Sequence, residues 1–411
     1  MPRNLPRPRV TPSVLVLAAG VALVLVAGLS VLLPDGGERR DGAIAPATEQ
    51  YAATTGVPTR STITADARAE IERVLDATPG RAVARADADR QADRLVRCAE
   101  FEGQRYCLGR GWTSAPESEV QAEAATAVPS RALPAETTGD QTDADLLAER
   151  AALSVAEREA AERAELEAAA RSVAKVVLLR HQVLGEALPD GFLARHPEAR
   201  ATTEEQQVAT RTATATRRKR MRDYPQRSTI LKTGRTQSQA RTYWCGPATM
   251  QMLAWGWTGD PRGQKHWARR LGTTTSGSAI TDMVRVVNQD TGWDRPSRAG
   301  DYVVLGISDW GFRKWLLLQM RHIRDYRAPL VLHPILLQRY YPYLDDDASG
   351  HFQVGRGYDK RGDRPAHIGY FEPWNQQRFD PSEPYIKRVQ WRDAYKSFRA
   401  NKAHPHQNIG V

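Results

Sequence analysis

Residues 239–255 read Gln239-Ala240-Arg241-Thr242-Tyr243-Trp244-Cys245-Gly246-Pro247-Ala248-Thr249-Met250-Gln251-Met252-Leu253-Ala254-Trp255. After Pro247 the stretch is made of good helix formers, and Ala248, Met252 and Trp255 recur at i, i+4 and i+7, the spacing of one buried helical face. Proline suits the first helical turn, where its missing N–H costs no bond. The spacing therefore predicts a helix with Cys245 at its amino end. The unpaired amides and the helix dipole there favour a thiolate over a thiol, so this is where a nucleophilic sulfur would be useful. The plain structural alternative is a small buried hydrophobe.

A cysteine nucleophile needs a histidine to take its proton and a polar group to hold that histidine. About a hundred residues on, His351-Phe352-Gln353-Val354-Gly355-Arg356-Gly357-Tyr358 reads as a strand, Asp359 to Pro365 as a turn, and His367-Ile368-Gly369-Tyr370-Phe371-Glu372 as an antiparallel partner. A turn centred between Arg361 and Gly362 puts Glu372 opposite His351, where a carboxylate fixes the imidazole tautomer. A slip of one residue turns Glu372 to the other face and leaves Asn375 as the substitute orienter. His351 also has the reading of an ordinary strand histidine. His333 reads as structural, and His404 and His406 as solvated. Asp345, Asp346 and Asp347 read as an acidic loop bordering the groove rather than a calcium site, and Gly272 to Gly277 as a turn before a helix near Ala279 to Asn288.

The chain around these elements has 411 residues, 41% apolar and 26% charged, which excludes a wholly disordered, collagen-like or multi-span membrane chain. A net charge of +10 is modest at this length and does not indicate a nucleic-acid partner. Nine of the ten tryptophans lie between Trp244 and Trp391, so the packed domain is expected over 223–411.

The amino-terminal side divides by composition. Val14 to Leu33 is uncharged and reaches about 30 Å as a helix, enough to span a bilayer. Arg3, Arg7 and Arg9 precede it, so residues 1–13 are read as a cytoplasmic tail and 14–33 as a single-pass signal-anchor. The alternative is a cleaved secretion signal. Either way the rest of the chain is placed outside the cytoplasm. Residues 34–90 read as a linker. Residues 91–113 read as a small hairpin turning at Glu102-Gly103, in which Cys98 and Cys107 face each other closely enough for a disulfide; a zinc site lacks a second ligand pair. Residues 114–141 read as a second linker. Residues 142–222 form a helical arm and basic linker, because Asp143 to Leu184 lack Gly and Pro and Glu159, Arg163, Glu167 and Arg171 alternate in sign at i+4. The arm reads as a stalk or a helical hairpin or, alternatively, as an inhibitory prosegment covering a downstream site. Arg217 to Arg222 is a solvated basic run or a cleavage site.

Gln239-x5-Cys245-Gly246-Pro247-Ala248, then Pro329-Leu330-Val331-Leu332-His333, then Gly350-His351-Phe352 through Gly357-Tyr358-Asp359, then Glu372-Pro373 resembles the papain-like cysteine peptidases, in particular the bacteriocin-processing endopeptidase family and its secreted C39-like relatives. The resemblance covers roughly residues 225–395. It implies an α+β fold with the cysteine helix packed on an antiparallel sheet. It also implies Cys245 as nucleophile, His351 as base, Gln239 as an oxyanion donor and Glu372 as orienter, with no cofactor or metal and a peptide or protein substrate. The relatives usually carry aspartate at the position of Glu372, and Asn375 in that role would make the site look more like papain itself. Two other readings stand beside the peptidase: a catalytically silent papain-like binding module, and a cell-wall peptide hydrolase, although those usually carry Asp-Cys-Ser-Gly where this chain has Trp-Cys-Gly-Pro.

Overall fold

The computed structural model describes residues 62–79, 88–129, 132, 137–197, 199, 219–231, 237–294, 299–341, 344, 347–361, 367–371, 373–374, 389–390, 396–397 and 408–411. Among these are ten helices: α1 (Ala65–Asp76), α2 (Ala88–Leu95), α3 (Glu117–Ala125), α4 (Asp143–Ala152), α5 (Val155–Val183), α6 (Phe192–Arg195), α7 (Cys245–Trp257), α8 (Gln264–Leu271), α9 (Ile280–Asp290) and α10 (Phe312–Arg324). The strands are β1 (Cys98–Phe101), β2 (Gln104–Cys107), β3 (Gly111–Thr113), β4 (Arg227–Thr229), β5 (Val304–Gly306), β6 (Leu330–Leu332), β7 (Gln353–Asp359), β8 (His367–Phe371), β9 (Val389–Gln390) and β10 (Asn408–Gly410). They form one sheet in the order β1-β2-β3-β5-β10-β6-β7-β8-β9, with β4 also paired to β7. The fold is α+β. The segment 14–33 lies outside the described residues, and among the described ones no helix is long and apolar enough to cross a membrane.

The hairpin forms as its sequence suggests. Glu102 and Gly103 take positive φ, Cys98 pairs with Cys107, and the two are joined by a disulfide. It is not a separate module, however. β2 pairs with β3, and β3 runs parallel to β5, with Trp112 opposite Leu305. Gly111 makes that junction possible, because its φ is +88° and a Cβ there would lie 2.6 Å from Val304.

Both expected linkers contain structure. Within 34–90, Thr64 caps α1 by accepting from the Ala67 amide, and Ile71, Val74 and Leu75 are buried against the rest of the core. Within 114–141, Val120 and Ala124 of α3 pack with Leu147 and Ala151 of α4 and with the disulfide. Short apolar patterns on alanine-rich helices make a linker-like composition. The burial that holds them comes from distant segments.

The expected arm is two helices. Ser154 stops the first and caps the second, bonding the Glu157 amide while the Glu157 carboxylate returns to the Ser154 amide. Glu167 and Arg171 do form a partly exposed pair at 2.9 Å, as their alternation suggests. The opposite face is no stalk: Leu166, Ala170, Val173, Val176, Val177 and Leu179 are all buried in the main core. The described residues of 62–197 and those of 219–411 thus share one sheet and one principal core, which corrects the expectation of a domain confined to 223–411.

Candidate active site

α7 begins at Cys245, and its N-cap residue Trp244 supplies no side-chain cap. The helix is buried on more than the face read from sequence. Ala248 and Met252 are fully buried and Trp255 half-buried, but Thr249, Met250, Leu253 and Ala254 are buried too. Gly246 lets the helix start approach Ser278, since a Cβ there would lie 2.6 Å from the Ser278 hydroxyl. The Thr249 hydroxyl donates to the Phe352 carbonyl at 3.0 Å, fixing α7 against the start of β7.

His351 stands two residues before β7, fully buried, with its amide bonded to the Pro334 carbonyl at 2.8 Å. The backbone of Phe352, the next residue, helps hold down the pKa of the Cys245 thiol. Cys245 and His351 thus stand at the starts of two elements, α7 and β7, that the Thr249–Phe352 bond joins. The β7–β8 register differs from the sequence reading. Val354 pairs with Phe371 and Asp359 with His367, with a bulge between Gly355 and Gly357; the symmetric turn would have set Val354 against Gly369. The strand lies two residues further along at Val354 and three at Asp359, and the bulge accounts for the change. Trp374 meets His351 edge-on, with ring centroids 6.4 Å apart. Glu372 and Asn375, the two candidate orienters, lie outside the described residues.

Gln239 is buried with its amide nitrogen turned toward three carbonyl oxygens, those of Thr242 at 2.7 Å, Arg241 at 3.0 Å and Thr138 at 3.1 Å. Three acceptors select the nitrogen end of the amide. The Cys245 backbone N–H donates to the same Thr138 oxygen at 3.2 Å. Two donors from separate parts of the chain converge on one carbonyl oxygen, the arrangement required for an oxyanion hole.

The occupant is the chain itself. Thr138 donates its hydroxyl to the Gly350 carbonyl at 2.6 Å, and its amide bonds the Ser349 hydroxyl at 3.1 Å. Its side chain also helps hold down the pKa of the Cys245 thiol. Gly139 accepts from the Ser278 amide at 3.0 Å, and Gln141 donates to the Ser278 carbonyl at 3.0 Å. A side chain at Gly139 (φ +106°) would overlap the Tyr243 backbone. Asp140 is buried and contacts Nε2 of His333 at 2.6 Å, while Nδ1 of His333 contacts Asn408 at 2.6 Å. Two cavities, of about 500 and 490 Å³, lie elsewhere, and neither is lined by Cys245 or His351.

This occupation changes the electrostatics expected of a helix amino terminus. Burial pushes the Cys245 thiol well above its ordinary range, and the Asp140 carboxylate pushes in the same direction. Hydrogen bonds from Phe352, Thr138 and Gly246 oppose the rise but do not overcome it. Burial and Asp140 thus work against the thiolate expected from the helix alone. The sequence reading missed Thr138, Gly139, Asp140, Ser278 and His333 as parts of this place, and only the Thr138-Gly139-Asp140 break in an Ala- and Pro-rich stretch marks the first three.

Residues 232–402, under half the chain, match the model of the Peptidase_C39 like family. This segment is similar to the papain-like C39 cysteine peptidases. The matched span contains Gln239, Cys245 and His351, and ends before β10. No curated protein and no solved structure matches the chain.

Proposed function

We propose that the chain is a cysteine peptidase that hydrolyses peptide bonds through Cys245 and His351. His351 takes the thiol proton, the sulfur attacks a peptide carbonyl, and the Cys245 amide and Gln239 side chain hold the developing oxyanion. The leaving amine takes the proton back from His351, and water then releases the acyl group. Glu372 or Asn375 would orient the imidazole. The observation that carries this reading is the convergence of the Cys245 N–H and the Gln239 side-chain nitrogen on one peptide oxygen, 3.2 and 3.1 Å away. A binding module would have no need of two donors aimed at a single carbonyl beside a cysteine.

The same reading places the catalytic part outside the cytoplasm, tethered by residues 14–33 as a single-pass anchor. The Cys98–Cys107 disulfide supports that location, because such bonds persist in oxidising compartments. The test is hydrolysis of a peptide library by full-length protein in detergent, beside Cys245→Ala and His351→Ala. The site is occupied in the structure, so a Gly139→Ala background, which displaces the occupant, is assayed in parallel. Turnover that falls at least about a thousandfold in both single variants supports the dyad. Turnover retained in Cys245→Ala, or absent from every form including the opened one, refutes it and leaves the silent module.

A further inference from the structure

The segment 137–141 crosses the candidate site as a peptide substrate would. Its contacts lie on both sides of one peptide bond. Before the bond, Thr138 is held by Ser349 and Gly350 through its amide and hydroxyl. After it, Gly139 and Gln141 bond to both backbone groups of Ser278, and Asp140 bridges in parallel with Ser278. Between them, the Thr138 carbonyl oxygen sits between the two oxyanion donors. Because one donor is the amide of Cys245 itself, the carbonyl lies beside the residue whose thiol would attack. The fit after the bond is narrow. Only glycine can stand at 139 against Tyr243, and only glycine can stand at 277 against the Gly139 carbonyl.

Resting on the peptidase reading above, we infer that the Thr138–Gly139 bond is the enzyme's own cleavage site, cut within the same molecule by Cys245. His351 removes the thiol proton and the sulfur adds to the Thr138 carbonyl carbon. The C–N bond to Gly139 then breaks, with the Gly139 nitrogen taking the proton from His351. Solvent water, deprotonated by the same imidazole, adds to the thioester and restores the thiol. The products are a chain ending in the Thr138 carboxylate and a chain beginning with the Gly139 amine. The cut removes the covalent strap over the nucleophile.

The experiment follows freshly purified full-length protein over time at mildly alkaline pH, by intact mass and amino-terminal sequencing, at several protein concentrations. Cys245→Ala, Gly139→Ala and Gln239→Ala are run beside it, each checked for folding by its melting curve. The expected result is a new amino terminus at Gly139 that accumulates at a rate independent of concentration. Cys245→Ala and Gly139→Ala should stay whole, and Gln239→Ala should be slowed by about a hundredfold. If the wild type stays whole while Gly139→Ala becomes reactive to iodoacetamide and hydrolyses peptides, the cleavage is overturned, the segment is only an inhibitor, and the peptidase reading stands. If the wild type stays whole and Gly139→Ala neither labels faster nor hydrolyses anything, both readings fall. A cut elsewhere, or a rate that rises with concentration, overturns the intramolecular cut alone.

Discussion

At Cys245 two influences compete. The start of α7 favours a thiolate, but complete burial and the Asp140 carboxylate favour the thiol, and they win in this state. Removing the opposing groups should therefore release reactivity. Asp140→Asn keeps an oxygen that can accept from His333 but deletes the charge. The apparent pKa of Cys245 alkylation should fall relative to wild type, measured by iodoacetamide labelling across pH; an unchanged pKa would mean that burial alone sets the thiol. Stability should respond as well. The thiol's pKa is raised in the folded state, so its contribution is fully present below the ordinary thiol value of about 8.5 and is lost as pH rises above it. Wild-type melting temperature should therefore drop more steeply above about pH 8.5 than that of Cys245→Ser, which has no such titration. Parallel curves would show that Cys245 ionises as freely in the folded chain as in the unfolded one.

At the scale of the element, α5 shows how a helix can be read on one face and missed on the other. Its boundary depends on the Ser154–Glu157 capping box, so Ser154→Ala should cost about 1 kcal/mol. That corresponds to a loss of about 1–2 °C in Tm in a fold of this size, read by calorimetry. Deeper along the helix, Lys175 is buried with its ammonium 5.1 Å from the Tyr302 ring centre, and burial lowers its pKa to about 7 despite Asp301. A lysine depressed from about 10.4 binds a proton in the unfolded chain that the folded chain refuses, so stability rises with pH between about 7 and 10.4. Lys175→Met should stabilise the protein near pH 7 by about 1–4 kcal/mol, with the gain shrinking toward pH 10. A loss at pH 7 would show that Lys175 is charged and usefully paired. α7, the hairpin and the β7–β8 pair were legible because their signals are local: a proline in a first turn, a glycine at a tight turn, two runs around a loop. The β7–β8 register was not legible, because the sequence between Asp359 and His367 does not mark the centre of the turn, which sets an offset of three, and the bulge at Gly355/Gly357 then changes it by one. The buried side of α5 was not legible either, because alanine and valine carry no charge pattern to weigh against the visible Glu–Arg alternation.

The occupant of the candidate site was the least legible feature, for a reason that belongs to the whole molecule. Thr138 reaches Ser349 and Gly350 across 211 and 212 residues, and Asp140 reaches His333 across 193. No spacing rule connects such segments; only the folded chain does. The same long-range construction decides whether the matched peptidase segment can exist by itself. β3 supplies a neighbour for β5, Trp112 lies in the main core, and α5 packs on α10 and on Tyr302. Deleting residues 1–222 would bare the β5 edge and the apolar surface that α5 covers, a loss no local adjustment can repair. A chain limited to 223–411 is therefore expected to aggregate or to lack a cooperative melt. The full chain should keep one transition for both halves, because they share a core. A cut between Thr138 and Gly139 should also leave the two products together in gel filtration and separate them only in denaturant, because α1 and β1 to β3 stay packed on α5 and β5 without the peptide link. If the 223–411 chain instead melts cooperatively, the amino-terminal half is an attachment rather than part of the fold, and the products of the cut would be free to part under native conditions.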